Sequence, residues 1–259
     1  IYLQVTASDM KTEKWYLIDI VAHQADPNLY VWQRLTENIF TPNAVPNCET
    51  KAFYWQDKFV VFVNNGLSTS LYQSTDGSTW YAMDASIDML PVPCHVRDIV
   101  QHNDTLFYID NHALYTSTDL VTWTKTDYST GSFTPINMLM SYDNKAWAIL
   151  QDTATQQLLL GTIIDNAITP LTEIVGLNNG YLPVNFPISD FAATAFESSS
   201  ERPRAMIVGG RDINGNPVNS RWNFEYIPTE KKYRLKDFSI SQPTFHTLTG
   251  ASIIQYNEQ

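Results

Sequence analysis

LYQSTDGSTW occupies residues 71–80, and a near copy, LYTSTDLVTW, occupies residues 114–123. In both copies a Ser-Thr-Asp group follows strand-forming residues and precedes a tryptophan. Ser and Asp side chains shape turns by bonding nearby backbone amides, and Leu, Tyr and Trp favour the strands on either side. The copies therefore predict one β-hairpin repeated 43 residues later.

A second hairpin pattern recurs in a constant register. Its turns are WQDK at 55–58, HNDT at 102–105 and YDNK at 142–145, and an apolar run such as FVVFV at 59–63 follows each turn. Asn and Asp tolerate the left-handed conformations that tight hairpins need. With helical periodicity essentially absent, the pattern predicts an all-β fold, a β-propeller of four-stranded antiparallel blades.

The repeats predict a single domain over residues 1–259 with five to six blades visible. They lie near residues 1–45, 46–90, 91–132, 133–180 and 186–240, with an incomplete repeat at 241–259. Because the last repeat stops at its first strand, we expect the chain to be an incomplete fragment of a longer propeller.

The first repeated stretch resembles a known structural motif. Its two copies resemble the Asp box of sialidase-like propellers, and Val208-Gly209-Gly210-Arg211 resembles the double glycine of a kelch blade. The combination is similar to exported propeller proteins of Bacteroides-type bacteria, which implies a periplasmic or cell-surface location. The resemblance implies a structural role in turns for Ser74, Asp76, Trp80, Ser117, Asp119, Trp123, Gly209 and Gly210.

Composition and motifs exclude several classes of function. The formal charge of −11 disfavours nucleic acid as a partner. No apolar stretch is long enough for a transmembrane helix. The five histidines form no HxH or HExxH group, and the chain lacks GxSxG and GxxxxGK motifs, so we expect no metal or cofactor and assign no catalytic residue.

Ligands of propellers usually approach the mouth of the central channel, which the innermost strands line. Aligning those strands predicts a polar ring at the mouth that is able to hydrogen-bond sugar hydroxyls, although ordinary solvated strand ends also explain these residues. The ring comprises Glu49, Thr50, Arg97, Asp98, Asn137 and Asp190.

The two cysteines, Cys48 and Cys94, fall at similar points of consecutive innermost strands. Neighbouring blades can bring two such residues within disulfide range. A disulfide and two inert buried thiols both remain open, and a disulfide would support an oxidising compartment.

Three hypotheses for function follow. The first is an exported, non-enzymatic binding or interaction module whose partner is a glycan or another protein. The second is a sialidase-like glycoside hydrolase, and the third is a structural propeller domain of a larger surface protein. Propellers serve all three roles, so fold alone does not choose among them, and the oligomeric state stays open.

Overall fold

A computed structural model describes residues 2–6, 13–17, 48–83, 87, 90–91, 94–197, 203–238 and 247–253. The chain divides into two compact units, Ile1–Glu37 and Asn38–Gln259. In the first unit, strands β1 (Tyr2–Thr6) and β2 (Glu13–Leu17) form an antiparallel pair, as the sequence predicted for the first repeat.

The second unit begins with blade A, an antiparallel sheet of four strands in sequential order. They are β3 (Glu49–Trp55), β4 (Lys58–Asn64), β5 (Thr69–Ser74) and β6 (Tyr81–Ala82). The predicted turn between β3 and β4 has positive φ at Gln56 (45°) and Asp57 (62°), which matches the right-handed twist of a two-residue hairpin.

Blade B repeats this plan after a short 3₁₀ turn at Val96–Asp98. Its strands are β7 (Val100–His102), β8 (Thr105–Asp110), β9 (Ala113–Ser117) and β10 (Thr124–Asp127). The predicted hairpin between β7 and β8 is confirmed, with positive φ at Asn103.

Blade C is the longest of the sheets. Its strands are β11 (Phe133–Tyr142), β12 (Lys145–Asp152), β13 (Leu158–Ile164) and β14 (Ala167–Leu171). Asp143 and Asn144 form the predicted turn, both with positive φ.

Blade D has five strands rather than the predicted four. The short strand β15 (Ile174–Val175) runs parallel to the outer strand of a sheet made of β16 (Ala192–Glu197), β17 (Pro203–Val208), β18 (Arg221–Ile227) and β19 (Lys232–Asp237). The chain leaving blade C thus joins the outer edge of blade D before it reaches the inner strand β16.

The hydrophobic core lies between blades. One cluster joins blades A and B around Phe62, Tyr108 and Trp123, a second joins blades B and C, and a third joins blades C and D around Trp147 and Phe224. Because successive strand residues point to opposite faces, a blade with neighbours on both sides needs nearly continuous apolar strands. The apolar runs of the sequence have this physical origin.

The sheets of blades A to C confirm the prediction of four-stranded antiparallel blades, and blade D adds one strand. The predicted repeats at 1–45 and 241–259 fall largely outside the described residues, and the single-domain boundary stays a prediction. Within the described residues, no helix has the length and apolar character needed to cross a membrane.

Candidate functional site at the start of the inner strands

The first strand of each blade lies toward the centre of the second unit. Strand β11 contacts β7 and β16, and the 3₁₀ turn before β7 contacts both β3 and β11. Polar groups from all four blades meet where these strands begin. We call them the inner-strand site, which comprises Glu49, His95, Arg97, Asp98, Asn137 and Asp190.

Glu49 and His95 form the link between blades A and B. The Nδ1 atom of His95 lies 3.1 Å from Oε1 of Glu49, and this hydrogen bond is the main cause of a raised pKa for His95. The imidazole is 68% exposed, whereas Oε2 of Glu49 is buried without a hydrogen-bond partner. The pair therefore offers an accessible imidazole ring and a carboxylate oxygen that can still accept a hydrogen bond.

Asp98 ends the 3₁₀ turn and is half-buried. Burial raises the pKa of its carboxyl to about 6, and the Asn137 amide, His95 and Lys51 offset only part of that effect. Among the described residues the carboxylate makes no ion pair within 4.0 Å, and Asn137 is its one hydrogen-bonding neighbour. A desolvated carboxylate with so few partners is costly and calls for an explanation.

Asn137 contributes to the site from β11. It is 4% exposed, and its Nδ2 donates to the Ile188 carbonyl at 3.0 Å, while Oδ1 is buried without a partner. The pairing of β11 with β12 shifts register on either side of it, between Pro135 and Asn137 and again between Met138 and Met140. Irregularities of this kind re-aim side chains and often accompany binding sites.

Asp190 precedes β16 and connects the site to a later segment of the chain. Its carboxylate accepts a hydrogen bond of 3.0 Å from Nε of Arg211, and its carbonyl accepts one of 2.8 Å from the Gly250 amide. The Arg97 guanidinium lies against Gly250, which has a φ of +65°. Residues 247–250 therefore reach from blade D to the turn of blade B.

Lys51 supplies a half-buried cation beside the site. Its Nζ donates to the Arg97 carbonyl at 3.0 Å, and burial lowers its pKa while the charge of Asp98 opposes that shift. The Arg97 guanidinium itself is exposed and has no ion pair or hydrogen bond among the described residues.

Of the predicted ring, the structure brings together Glu49, Arg97, Asp98, Asn137 and Asp190. Thr50 differs, because it follows Glu49 on β3 and so projects from the opposite face of the strand. It is exposed and has no side-chain bond with the other five within the described residues. Thr50 therefore lies outside the inner-strand site.

The Asp turns of blades A and B lie at the opposite, outer part of each sheet. Asp76 Oδ1 accepts hydrogen bonds from the backbone amides of Ser78 (2.8 Å) and Thr79 (2.7 Å), and these bonds lower its pKa to about 2. Asp119 does the same with Val121 and Thr122, and its pKa is lowered too. Both carboxylates are occupied by their own turns.

Each Asp turn is completed by Ser and Trp. The Ser74 and Ser117 hydroxyls donate to Asp76 and Asp119, at 3.0 and 3.2 Å. Trp80 Nε1 donates to the Gly77 carbonyl at 3.0 Å, whereas Trp123 is 2% exposed in the core between blades A and B.

The double glycine anchors the segment that reaches the site. The Gly210 amide donates to the Leu248 carbonyl at 2.7 Å, and a Cβ at Gly209 would lie 2.5 Å from that oxygen. Both glycines have positive φ, 61° and 99°. Side chains here would push residues 247–250 away.

A family model for the DUF6242 beta propeller domain matches residues 26–259. The chain belongs to this family. No curated protein matches it. Among solved structures, the DUF6242 propeller is similar to the endo-arabinase from Bacteroides thetaiotaomicron VPI-5482, with 11% identity and a TM-score of 0.40, over 75% of this chain and 82% of that one.

The two cysteines of the DUF6242 propeller are free thiols, so the disulfide alternative is not realised in the structure. Cys94 is fully buried in the core between blades A and B, and burial raises the pKa of its thiol to about 12. Cys48 is half-buried at the start of β3. Packing of Cys94 among apolar neighbours makes it an inert core residue.

A surface cavity of about 510 Å³ lies elsewhere, beside β15, where Glu173 and Lys232 form an ion pair of 2.8 Å. No residue of the inner-strand site lines it. It is open to solvent and lacks unpaired buried polar groups, so the inner-strand site is the stronger candidate.

The sequence of the DUF6242 propeller did not predict one member of the site, His95, or two residues that bond to site residues, Lys51 and Arg211. Histidines were considered only as metal ligands, and in the described residues no three His, Cys, Asp or Glu side chains are placed to hold a metal ion. A usable signal was the spacing of His95 and Asp98 around a short turn.

Proposed function

We propose that this DUF6242 propeller is an exported binding module that recognises carbohydrate at the inner-strand site. The observation that carries the proposal is the convergence of acceptors and donors from four blades, with Glu49 Oε2 and Asn137 Oδ1 buried and without a hydrogen-bond partner among the described residues. Native proteins rarely leave such groups unsatisfied without a functional reason.

The charges of the site favour a neutral ligand. Glu49 is bonded to His95 and Asp190 to Arg211, so two of the three carboxylates of the site have a basic partner, whereas Asp98 makes no ion pair among the described residues. Sugar hydroxyls both donate and accept hydrogen bonds. They match a site in which the exposed Arg97 guanidinium and the His95 ring lie beside carboxylate acceptors.

Export and the finer resemblance form part of the same proposal. The bonds of Ser74, Asp76 and Trp80 support a divergent Asp box, and the glycine pair supports a kelch-like turn. The similarity to exported Bacteroides-type propellers supports a periplasmic or surface location. Fractionation of cells that express the full-length protein tests this, and recovery only from the cytoplasm would refute export.

The first experiment is incubation of the purified chain with a broad panel of labelled glycans, scoring retained binding and released product together. We expect binding without product, and we expect Glu49→Ala and Arg97→Ala each to weaken it at least fivefold, roughly the worth of one charged hydrogen bond. Thr50→Ala is the matched control, since Thr50 leaves β3 on the other face. Unchanged binding in both site variants would contradict the proposal.

The second candidate is a sialidase-like glycoside hydrolase. Carboxyls in different environments favour it, because Asp98 has a pKa of about 6 whereas Asp190 is paired with Arg211. Such a difference separates an acid from a base in glycoside hydrolysis. Released sugar in the panel would establish this candidate. Absence of both binding and product would favour a protein partner or a structural role in a larger surface protein.

A further inference from the structure

Building on the carbohydrate-binding function proposed above, we propose that Asp98 is the specificity-determining acceptor of the inner-strand site, and that a proton and a ligand hydroxyl compete for its carboxylate. The inference names a residue and a form of regulation within the site. It rests on four observations.

The first observation is that the neighbouring cations are engaged elsewhere. Lys51 Nζ donates to the Arg97 carbonyl, Arg211 bonds Asp190 and the Gly215 carbonyl, and the Arg97 guanidinium lies against Gly250. The half-buried Asp98 carboxylate thus has no ion-pair partner among the described residues. A hydroxyl that donates to it would supply the missing hydrogen bond.

The second observation is that other acceptors without partners lie in the same site. Asn137, whose amide interacts with Asp98, has a buried Oδ1 without a partner, and so does Glu49 at Oε2. No described residue donates to these acceptors, and a bound ligand would supply the missing donors. A sugar with neighbouring hydroxyls provides several donors at once.

The third observation is the difference between Asp98 and the other titratable groups that face it. Glu49 and Asp190 have His95 and Arg211 as bonded partners, and His95 is bonded to Glu49. Among the carboxyls of the site, Asp98 alone makes no ion pair in the described part of the chain. It is therefore the group most responsive to a proton or a donor.

The fourth observation sets the direction of the pH effect. The pKa of Asp98 is raised to about 6, so the carboxyl is mostly protonated at pH 5 and mostly ionised at pH 7.5. If the ligand prefers the ionised form, affinity is about tenfold weaker at pH 5 than at pH 7.5. An acidic medium would then release the sugar.

The test is affinity against pH for the tightest-binding neutral oligosaccharide of the panel, between pH 5 and 8. For the wild-type chain we expect affinity to be about tenfold higher at pH 7.5 than at pH 5. Asp98→Asn should bind about tenfold more weakly at pH 7.5 and show a flat profile, because the amide imitates the protonated acid. Asp76→Asn, in a turn outside the site, is the control and should keep the wild-type profile.

Two further measurements separate the outcomes. In His95→Gln, ligand affinity should still rise with pH. If only this variant loses the rise, the pH dependence belongs to His95 and the inference is wrong. Carbon-13 carboxyl NMR of the ligand-free chain should show Asp98 titrating near 6; titration near 4 would overturn it. Binding with a flat profile refutes the inference but leaves the proposed function intact, whereas no binding at any pH refutes both.

Discussion

Asp98 and Asp76 are both aspartates, but their surroundings shift their pKa values in opposite directions. Asp76 lies at the surface of an outer turn, where backbone amides at 2.7 and 2.8 Å lower its pKa to about 2. Asp98 ends the 3₁₀ turn that contacts β3 and β11, and burial raises its pKa to about 6. The carboxylate of Asp76, in the repeated turn, accepts hydrogen bonds from that turn. The carboxylate of Asp98, which is not part of a repeated turn, can still accept hydrogen bonds.

The contrast extends to the pH dependence of stability. A lowered pKa stabilises the fold at pH values above 4, and the stabilisation from Asp76 is lost as pH falls toward 2. A raised pKa acts in the other direction, so the contribution of Asp98 is greatest below pH 4 and is lost as pH rises through 6. At neutral pH the repeated turns therefore stabilise the fold, whereas the ionised Asp98 of the inner-strand site destabilises it.

The largest expected effect concerns the tryptophan of a repeated turn. Trp123→Ala should lower the free energy of unfolding by about 3 to 5 kcal/mol, because it empties a fully buried position between blades A and B. Urea unfolding measures this. Trp80→Ala, at a half-buried position, should lower the free energy of unfolding by less. An equal decrease would show that the two tryptophans are packed alike.

A smaller effect of opposite sign is expected at the site. Asp98→Asn should raise the free energy of unfolding by up to about 3 kcal/mol at pH 7.5, since the pKa of the carboxyl is raised from 3.8 to about 6 and one pKa unit corresponds to about 1.4 kcal/mol. At pH 4 the variant and the wild-type chain should be equally stable, because Asp98 is then protonated. Equal stability at both pH values would mean that the carboxylate is well solvated.

The smallest effect is expected for the second repeated aspartate. Asp119→Ala removes hydrogen bonds to the amides of Val121 and Thr122 and should lower the free energy of unfolding by about 0.5 to 1 kcal/mol. Asp76→Ala should change stability in the same direction. Neither variant should alter glycan binding, and a binding defect with the fold intact would give the turns a second role.

Much of the fold could be predicted because it depends on local turn chemistry. Asn and Asp at positions such as Asp143 and Asn144 set tight hairpins, and these recur at blade spacing. Strand β15 could not be predicted, since two residues paired in parallel with β19 carry no periodicity. The fifth strand of blade D depends on tertiary packing alone.

The site was predictable only in part. Alignment of the inner strands placed Glu49 near Asp190, and Thr50 with Arg97 and Asn137, with Asp98 alongside. The pairing of His95 with Glu49 depends on how the 3₁₀ turn folds back onto β3, which residue types do not specify. Thr50 was misplaced because the alternation of β3 turns it away from Glu49.

The most direct test of the account compares glycan binding by three proteins at pH 7.5: the wild-type chain, Asp98→Asn and Asp76→Asn. We predict that the wild-type chain and Asp76→Asn bind the same glycans with equal affinity, whereas Asp98→Asn binds them about tenfold more weakly. Circular dichroism confirms that all three are folded. Equal binding by Asp98→Asn, or an equal loss in Asp76→Asn, would contradict the division between structural and functional aspartates.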